Sequence, residues 1–566
     1  MLFRRNKRFL RVAESVCHED AELHCTPDEK TKNRTWARAH RHSDPPMNTA
    51  EMIRGENMSN NVIIDAVRRH IDTVLELGAD RWRVPPSPLL ADSIDLKAGI
   101  CVPAADGTVS SNLSSQQNFL RALSLYGRLT GRREYHARAV NIYKYHFSEL
   151  LLPTGLFRWG GHRAVDLRNL CDIGDKQRRH ELKNTFPFYE LMFEADALRA
   201  DEFIRAFWRG HIKSWTPLEM NRHDVGADSS RMNLWPAFAG PFRPLRPRDG
   251  LSFLNTGNDL MFAALAEYRM AGSKAALRWG KRLFNAYMSC RNKDTCLGAY
   301  MFSVPKKKKQ TNDPGVTESC YGDRAKRQLG PELGAAAFEA NILLAHECES
   351  IYAVLPQIAA FYAQCGVAGG QRMIGQAGSG LAAWVSWAYV DSDNSFRPML
   401  ADGQDLTGFV PARPGYYAAE AFASFTADGR YLLSILKTAL LLKDETLWNT
   451  ARRIAAALDL GDIGAPFGVG AALRRDSRCD SVPAAMAMLE VYACLNGPFL
   501  NMAERIANNI LARQTQCGVF PLADSEGSPY IREEVTRIDS QAPLMLLSVA
   551  GALEKSSVDL PMTVFV

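Results

Sequence analysis

Apolar residues recur every three to four positions from about residue 60 onward, which is the spacing of helices that bury one face. The first such stretch ends at Gly78 and carries its apolar side chains at Ile64, Val67, Ile71, Val74 and Leu75. A second stretch covers residues 115–129 and, after the turn TGRR, a third continues to residue 146. This order predicts one helix followed by an antiparallel pair of helices.

The same unit of helix, short turn and helix recurs three more times. Its turns are AGSK, KDE and NGP, within residues 260–287, 431–454 and 484–510. A helical hairpin cannot bury its apolar face alone, so repeated hairpins stack against one another. Strand-like alternation is scarce. The pattern therefore predicts an all-α fold, a toroid of helical hairpins, with at most short β-hairpins in its loops.

Long segments separate the hairpins at residues 157–184, 221–256, 303–332 and 391–415. Long ordered loops in a helical protein usually carry its function. Two apolar stretches, ANILLAHECE (340–349) and LLSILKTALLLK (432–443), are cut by charged residues. Both fall short of the roughly 20 apolar residues that span a membrane. We expect both to be buried helices and expect no membrane partner.

The composition describes a large, nearly neutral body behind a basic start. The chain has 566 residues, of which 46% are hydrophobic, and a net charge of +6. Residues 1–46 hold ten Lys/Arg against seven Asp/Glu, and residues 1–57 lack helical periodicity. We expect residues 1–57 to be a disordered basic extension or a translation start placed too far upstream. The helical domain is predicted over residues 58–566, and its low charge argues against a nucleic-acid partner.

Twelve cysteines are scattered along the chain without any CxxC pair. No apolar run of seven or more residues follows Arg4, Arg5 and Lys7, so no secretory signal is recognisable. Small buried thiols are typical of a reducing compartment. We therefore expect a cytoplasmic protein rather than a periplasmic one. Nothing in the sequence indicates an oligomeric state.

Three short runs concentrate the candidate chemistry: FRWGGHR (157–163), RRHELKNTFPFYELMF (178–193) and EMNRHD (219–224). They offer His162, Glu181, Arg222 and His223. Two imidazoles and a carboxylate can bind a divalent transition metal with positions left open. An arginine beside one ligand would place a guanidinium next to an anion on the metal. The spacing matches no local metal motif, so helix surface plus a core histidine is the alternative.

These runs resemble the family 2 polysaccharide lyases, the pectate lyases with an α/α-barrel core. The resemblance continues through GLSFLNTGNDL (250–260), YGDRAKRQLGPE (321–332) and SFRPMLADGQDLTG (395–408), so it covers most of the chain from about residue 60. It implies an (α/α)7 barrel that cleaves polygalacturonate or oligogalacturonides by β-elimination. It also implies His162, Glu181 and His223 as metal ligands and Arg222 as the catalytic base.

One carboxylate and two imidazoles favour manganese, cobalt, nickel or zinc over calcium, which prefers six or more oxygens. The family resemblance makes Mn²⁺ the first choice, and no organic cofactor is expected.

Three neighbouring residues have open roles. Lys183 is the alternative base, or it binds a substrate carboxylate or lies in solvent. Trp159 could stack on a sugar ring or belong to the core, and His180 is expected either to be structural or to support a metal ligand without contacting the metal. The run Lys306–Lys309 could attract an anionic chain or simply be solvated.

Two other function classes stay open from the residues. A glycoside hydrolase on the same toroid would use paired carboxylates, which Asp391 with Asp393 or Asp402 with Asp405 could supply. In DSDN and DGQD these residues also fit ordinary turn chemistry. The third class is a non-catalytic carbohydrate-binding protein.

Overall fold

The structure is a computed structural model. It describes residues 60–103, 106–160, 163–174, 180–216, 218–220, 222, 235–237, 252–253, 256–289, 291–298, 301–302, 342–343, 349–410, 421–520 and 535–565. The predicted extension, residues 1–57, lies outside these ranges, and so does Lys306–Lys309.

Fourteen α-helices lie in the described residues, together with a π-helix (Glu349–Val354) that leads into the eighth. They are α1 Asn60–Leu77, α2 Gln117–Thr130, α3 Arg133–Glu149, α4 Tyr189–Ala195, α5 Ala197–His211, α6 Asn258–Ala271, α7 Lys274–Ser289, α8 Leu355–Gln364, α9 Gly370–Ala388, α10 Gly429–Leu442, α11 Glu445–Ala457, α12 Val482–Leu495, α13 Phe499–Leu511 and α14 Ala542–Leu553. Two 3₁₀ turns, Leu113–Ser115 and Pro466–Gly468, complete the helical elements of these ranges.

The helices form a closed ring of hairpins. The even-numbered helices α2 to α14 are the inner layer, and each packs against the outer helix of its own pair and against neighbouring helices. Six of these pairs are consecutive in the chain: α2–α3, α4–α5, α6–α7, α8–α9, α10–α11 and α12–α13. The seventh joins the two ends of the described chain, because α14 packs against α1 and also against α2. The described helices thus make seven hairpins, the number that the resemblance implies.

Burial separates the two layers. Every residue from Asn258 to Glu267 in α6 and from Ala542 to Ala550 in α14 is buried, so these inner helices are enclosed on all sides. On α1 a single stripe is buried, formed by Ile63, Ala66, Val67, His70, Ile71 and Val74. Full burial of a Leu, Ile or Phe side chain is worth roughly 1.5–3 kcal/mol. An inner helix therefore stabilises the ring more per residue than an outer one.

Short antiparallel strands lie in the loops between the helices. They are β1 Ser93–Asp95, β2 Ile100–Cys101, β3 Ser110–Ser111, β4 Arg163–Asp166, β5 Asp172–Gly174, β6 Ile212–Ser214, β7 Glu219–Met220, β8 Ser252–Phe253, β9 Met301–Phe302, β10 Ile342–Leu343, β11 Tyr389–Val390, β12 Ser395–Phe396, β13 Met399–Leu400, β14 Phe425–Thr426, β15 Gly461–Asp462, β16 Ala472–Leu473 and β17 Val535–Arg537. Three-stranded sheets have the orders β17-β1-β2, β3-β4-β5 and β11-β12-β14. The other strands pair as β6-β7, β8-β9, β10-β13 and β15-β16.

The connections differ in length at the two ends of the ring. Inner helices lead to their outer partners through short turns, such as residues 131–132 between α2 and α3. The segments that lead from α3 to α4 and from α5 to α6 are much longer. Because the hairpins are antiparallel, these long segments gather at the end where the inner helices begin. The three runs that carry the candidate chemistry lie in these two segments, and the second run continues into α4.

The all-α fold and the four predicted hairpins are confirmed, as α2–α3, α6–α7, α10–α11 and α12–α13. LLSILKTALLLK forms the buried helix α10. The prediction of a helix over ANILLAHECE is wrong where the structure describes it, because Ile342 and Leu343 form β10 and pair with β13. A short apolar run fits a buried strand as well as a buried helix, and its periodicity does not separate the two.

Candidate active site

Backbone hydrogen bonds bring the three runs side by side. The Glu181 N–H donates to the Trp159 carbonyl (3.1 Å), and the Leu182 N–H donates to the Arg222 carbonyl (2.8 Å). The second run therefore lies between the first and the third. Its backbone is extended here rather than helical, which places successive side chains on opposite sides.

Gly160 allows the first run to approach Glu181 closely. Its φ of +91° is in the left-handed region that favours glycine. A Cβ at this position would lie 2.5 Å from the Glu181 Cβ and 2.9 Å from the Glu181 carbonyl oxygen. Atoms cannot come that close without displacing the Glu181 backbone. The sequence by itself does not indicate this contact between the WGGH glycine and Glu181.

Glu181 is a buried carboxylate between two cations. The residue is 2% exposed. Its Oε1 lies 3.4 Å from Nη2 of Arg222, and its Oε2 lies 3.5 Å from Nζ of Lys183. Opposite charges interact more strongly in such a poorly solvated place than they do in water. The structure therefore brings three predicted site residues together, namely Glu181, Arg222 and Lys183.

Arg222 follows a short hairpin that continues from α5. Ile212 of β6 pairs with Met220 of β7, and Arg222 lies two residues beyond that pair. The residue is 7% exposed, so its guanidinium is largely removed from water. Lys183 is also partly buried, with a side chain 21% exposed, which differs from the solvent role considered for it.

His180 points away from Glu181 into an aromatic pocket formed by Trp159, Phe203, Phe207 and His211. Its Nδ1 lies 2.8 Å from Nε2 of His211. Burial, and then the nearby His211, hold the pKa of His180 well below its usual range, so its imidazole is neutral. The structural role expected for His180 agrees with this position, although an extended backbone rather than a helix turns it away from Glu181.

Trp159 occupies the core, which is the second of the two roles considered for it. It is 0% exposed, and its ring stacks on His180 with centroids 5.8 Å apart and an interplanar angle of 2°. An indole enclosed in this way has no face open to a sugar ring. The sugar-stacking role considered for Trp159 therefore disagrees with its position, because the first run turns this side chain into the ring.

Asp259, which the sequence analysis did not single out, holds the turn after Glu181. Its carboxylate accepts the N–H groups of Lys183 (2.9 Å), Asn184 (2.7 Å) and Phe186 (3.0 Å). Asn184 and Phe186 have positive φ values, a strain of order 1–3 kcal/mol each that these hydrogen bonds offset. Burial raises the pKa of Asp259 to about 6, and the backbone N–H donors act in the opposite direction. The sequence signal for this role is the polar pair Asn258–Asp259 at the start of α6, a largely apolar helix.

His162 and His223 lie outside the described residues. Within those residues, no group of three or more His, Cys, Asp or Glu side chains could hold a metal ion. The donor chemistry nevertheless fits a divalent transition metal. Glu181 supplies a buried carboxylate. Hydrogen bonds place its backbone beside Trp159 and Arg222, which are close in sequence to His162 and His223.

The paired carboxylates considered for glycoside hydrolysis serve their own turns. Asp393 accepts from the Ser395 hydroxyl (2.9 Å), Asp402 from the Gln404 N–H (3.1 Å) and Asp405 from the Thr407 N–H (2.8 Å). Each bond spans two residues, which is ordinary turn chemistry. Asp391 lies on the surface, 3.1 Å from a guanidinium nitrogen of Arg453. These contacts do not describe an acid–base pair.

Helices that meet the length and hydropathy of a membrane span do not occur in the part of the chain that the structure describes.

Two solved structures share low similarity with the chain. A GH76 α-mannanase from Bacteroides thetaiotaomicron is 10% identical, with 90% of this chain and 99% of that one covered and a TM-score of 0.40. An unsaturated glucuronyl hydrolase specific for heparin is 9% identical, with 89% and 100% covered and a TM-score of 0.36. At such scores neither similarity carries an argument about this protein.

A curated relative is much closer in sequence. The pectate disaccharide-lyase of Dickeya dadantii (strain 3937) is 30% identical over 524 residues, which cover 88% of this chain and 90% of the relative.

A family model described as "Periplasmic pectate lyase" matches residues 87–565, a range that contains every predicted site residue. This description overturns the expected cytoplasmic location, which is therefore wrong. That expectation used scattered cysteines and the lack of a recognisable signal, and neither is a positive mark of a compartment. The resemblance drawn from the three runs is confirmed: the chain is a polysaccharide lyase, and it belongs to the family of periplasmic pectate lyases.

Proposed function

We propose that this lyase cleaves polygalacturonate or its oligomers by β-elimination, with Arg222 removing the proton from C5. The observation that carries the proposal is the arrangement of Glu181 and Arg222, a buried carboxylate and a buried guanidinium 3.4 Å apart on adjacent backbone segments. The name of the relative, a pectate disaccharide-lyase, supports the substrate class.

In the proposed reaction Arg222 takes the C5 proton, and the electrons of the C5–H bond form a double bond between C4 and C5. The C4–O bond breaks, the departing oxygen takes a proton from water, and Arg222 then returns its extra proton to the solvent. A guanidinium ordinarily has a pKa above 12, so only its rare neutral form can accept a proton. Loss of water around a cation favours the neutral form, and Arg222 is 7% exposed. The Glu181 carboxylate, 3.4 Å away, favours the protonated form instead, so burial and this ion pair act in opposite directions.

His162, Glu181 and His223 would hold a divalent transition metal, Mn²⁺ by preference, with Co²⁺, Ni²⁺ and Zn²⁺ as alternatives. When bound, this metal would withdraw charge from the uronate carboxylate and so acidify the C5 proton. The role of Glu181 is to supply an anionic oxygen while its backbone keeps the two flanking runs in register.

The charges around Glu181 suit an anionic substrate. Among the described side chains, Arg222 and Lys183 place two cations around the Glu181 carboxylate, so these three groups together carry a net positive charge. A uronate carboxylate would balance that charge. We propose that Lys183 binds such a carboxylate, since its Nζ is 3.5 Å from Glu181 and its side chain is 21% exposed.

An ultraviolet assay on polygalacturonate tests the reaction class. Elimination creates a conjugated double bond that absorbs in the ultraviolet. Hydrolysis would yield reducing ends without this absorbance, and a binding protein would yield neither. We expect the absorbance to appear, to vanish with excess chelator and to return with Mn²⁺ better than with Ca²⁺. Full activity in chelator, or a clear preference for Ca²⁺, would contradict the metal assignment.

Substitution of the proposed ligands tests which residues hold the metal. His162→Ala, Glu181→Ala and His223→Ala should each lower the metal content of the purified protein, and excess Mn²⁺ should restore the weaker losses. His136→Ala is a matched control, because His136 lies on α3 and pairs with Glu194. Unchanged metal content in all three variants would remove these residues from the ligand set.

A further inference from the structure

Asn112 contacts the first run on both sides of His162. It is a buried residue, and its Nδ2 donates to the carbonyls of Gly160 (2.5 Å) and Arg163 (3.1 Å). Gly160 and Arg163 are the described residues that flank Gly161 and His162 in the sequence. One amide group therefore holds the chain before and after the proposed ligand.

The hydrogen-bond partners fix the orientation of this amide. Asn112 Oδ1 accepts from the N–H of Ser114 (3.1 Å), which can only donate. It also faces the Ser114 hydroxyl at 2.8 Å. The two carbonyls on the other side can only accept, so they must face the NH₂ group. Both hydrogens of the amide are used on the chain around His162.

Ser114 completes a clamp on Gly160. The Gly160 N–H donates to the Ser114 hydroxyl (3.0 Å), while its carbonyl accepts from Asn112. Gly160 is also the residue whose backbone packs against Glu181. The clamp therefore acts on a segment that contacts one proposed ligand and leads directly to another.

A partly buried carboxylate anchors the clamp to the ring. Asp92 accepts from the Asn112 N–H (2.8 Å), from the Ser110 hydroxyl (2.6 Å) and from Gln116 Nε2 (3.1 Å). Gln116 immediately precedes α2, an inner helix. The Asn112 backbone is thus held next to α2, and its side chain hydrogen-bonds residues 160 and 163.

We infer that Asn112 is a positioning residue that holds His162 in place for metal binding, an inference that rests on the metal role proposed for His162. Ligands that keep their orientation without the metal bind it more tightly, because less conformational freedom is lost on binding. Asn112 acts through the backbone and touches neither metal nor substrate.

Mn²⁺ binding to the metal-free full-length chain, measured by isothermal titration calorimetry, tests this role. Asn112→Ser keeps a side-chain oxygen that can cap the turn but removes both amide donors. It should weaken Mn²⁺ binding about tenfold or more, the effect typical of groups that orient metal ligands. Ser110→Ala is the matched control, because Ser110 belongs to the same Asp92 network but contacts neither Gly160 nor Arg163 in the described bonds. Its Mn²⁺ affinity should equal that of the wild type.

The effect must also depend on His162. In a His162→Ala background, adding Asn112→Ser should cause no further loss of Mn²⁺ affinity, whereas independent effects would add. If Asn112→Ser cannot be purified, Ser114→Ala removes the other half of the clamp and should also weaken Mn²⁺ binding.

Three outcomes would overturn the inference. If Asn112→Ser binds Mn²⁺ as tightly as the wild type while His162→Ala binds it weakly, only the role of Asn112 fails. If Ser110→Ala is impaired equally, the network is merely structural. If the wild-type chain binds no Mn²⁺, the proposed metal function fails and the inference fails with it.

Discussion

His180 and Glu181 are adjacent in the chain, yet their side chains lie in opposite environments. The imidazole of His180 is enclosed by aromatic rings and is neutral, because burial and His211 lower its pKa. The carboxylate of Glu181 is equally buried but lies between the charged groups of Arg222 and Lys183. Burial favours the neutral form of both side chains, and nearby cations oppose that effect at Glu181.

The extended segment that carries His180 and Glu181 therefore serves two purposes. The His180 side packs against the ring and keeps the backbone in place. The Glu181 side presents charge to the active site, where a fixed orientation matters most. Trp159 and Gly160 repeat this division in the first run, because Trp159 lies in the aromatic pocket while Gly160 packs on Glu181. Substitutions on the two sides should therefore differ in kind.

The largest effect is expected at Arg222, on the charged side. Arg222→Lys keeps the positive charge but shortens the side chain and loses the planar guanidinium. If Arg222 is the base, kcat should fall about a hundredfold or more while metal content stays unchanged. Wild-type activity should also rise toward alkaline pH, as the guanidinium loses its proton. Ultraviolet kinetics and metal analysis measure these quantities.

A near wild-type kcat with only a raised KM would contradict this role. Arg222 would then bind a substrate carboxylate, and Lys183 would be the next candidate for the base.

Gly160→Ala should displace the backbone of Glu181 and so move its carboxylate. Gly131→Ala is its control, because Gly131 also has a positive φ (+71°) but has nothing within 4 Å of an added Cβ. The control should lose about 1–2 kcal/mol of stability and keep its activity. Gly160→Ala should lose more, since its Cβ would collide with Glu181, and should also lose Mn²⁺ affinity. Equal effects on both properties would show that the close contact has no bearing on the site.

His180→Phe tests the aromatic side through pH. The folded pKa of His180 lies well below the unfolded value of about 6.5, so below that pH the unfolded chain binds a proton that the native protein does not. The stabilising contribution of neutral His180 is complete above pH 6.5 and declines as pH falls. Relative to wild type, His180→Phe should therefore become progressively more stable as the pH falls below about 6.5.

His146→Phe is a matched case at a buried histidine on α3. Burial lowers the pKa of His146 to about 3, so its contribution should decline between about pH 6.5 and pH 3. Each variant is compared with wild type at the same pH by denaturant unfolding. Burial raises the pKa of Asp92 and Asp539 to about 6, so their contribution to stability changes with pH in the opposite direction. Comparison at the same pH cancels that contribution. A pH-independent difference for both variants would mean that the buried histidines are not neutral.

The smallest effect is expected from removing residues 1–57. The two environments around Glu181 are built from residues 159–222 and the ring that begins with α1 at Asn60. A chain that begins at Met58 should therefore fold with unchanged stability and full activity. Loss of soluble protein, measured by expression and thermal melting, would show that these residues pack on the ring.

The sequence by itself determined the helical hairpins and the three runs. Apolar side chains at a spacing of three and four residues indicate helices, and four of the seven hairpins follow directly from that pattern. Glu181 and Arg222 could be selected because their runs resemble a known family. The polar composition of the runs does not indicate how they approach each other.

Tertiary packing decided the rest. The seventh hairpin pairs α14 with α1, helices at opposite ends of the chain, and no local pattern encodes such a pairing. The position of Trp159 in the core, the support of residues 183–186 by Asp259 and the hold of Asn112 on residues 160 and 163 all join segments that are distant in sequence. Periodicity reports which side of an element is buried, whereas the partner that buries it depends on the closure of the whole ring.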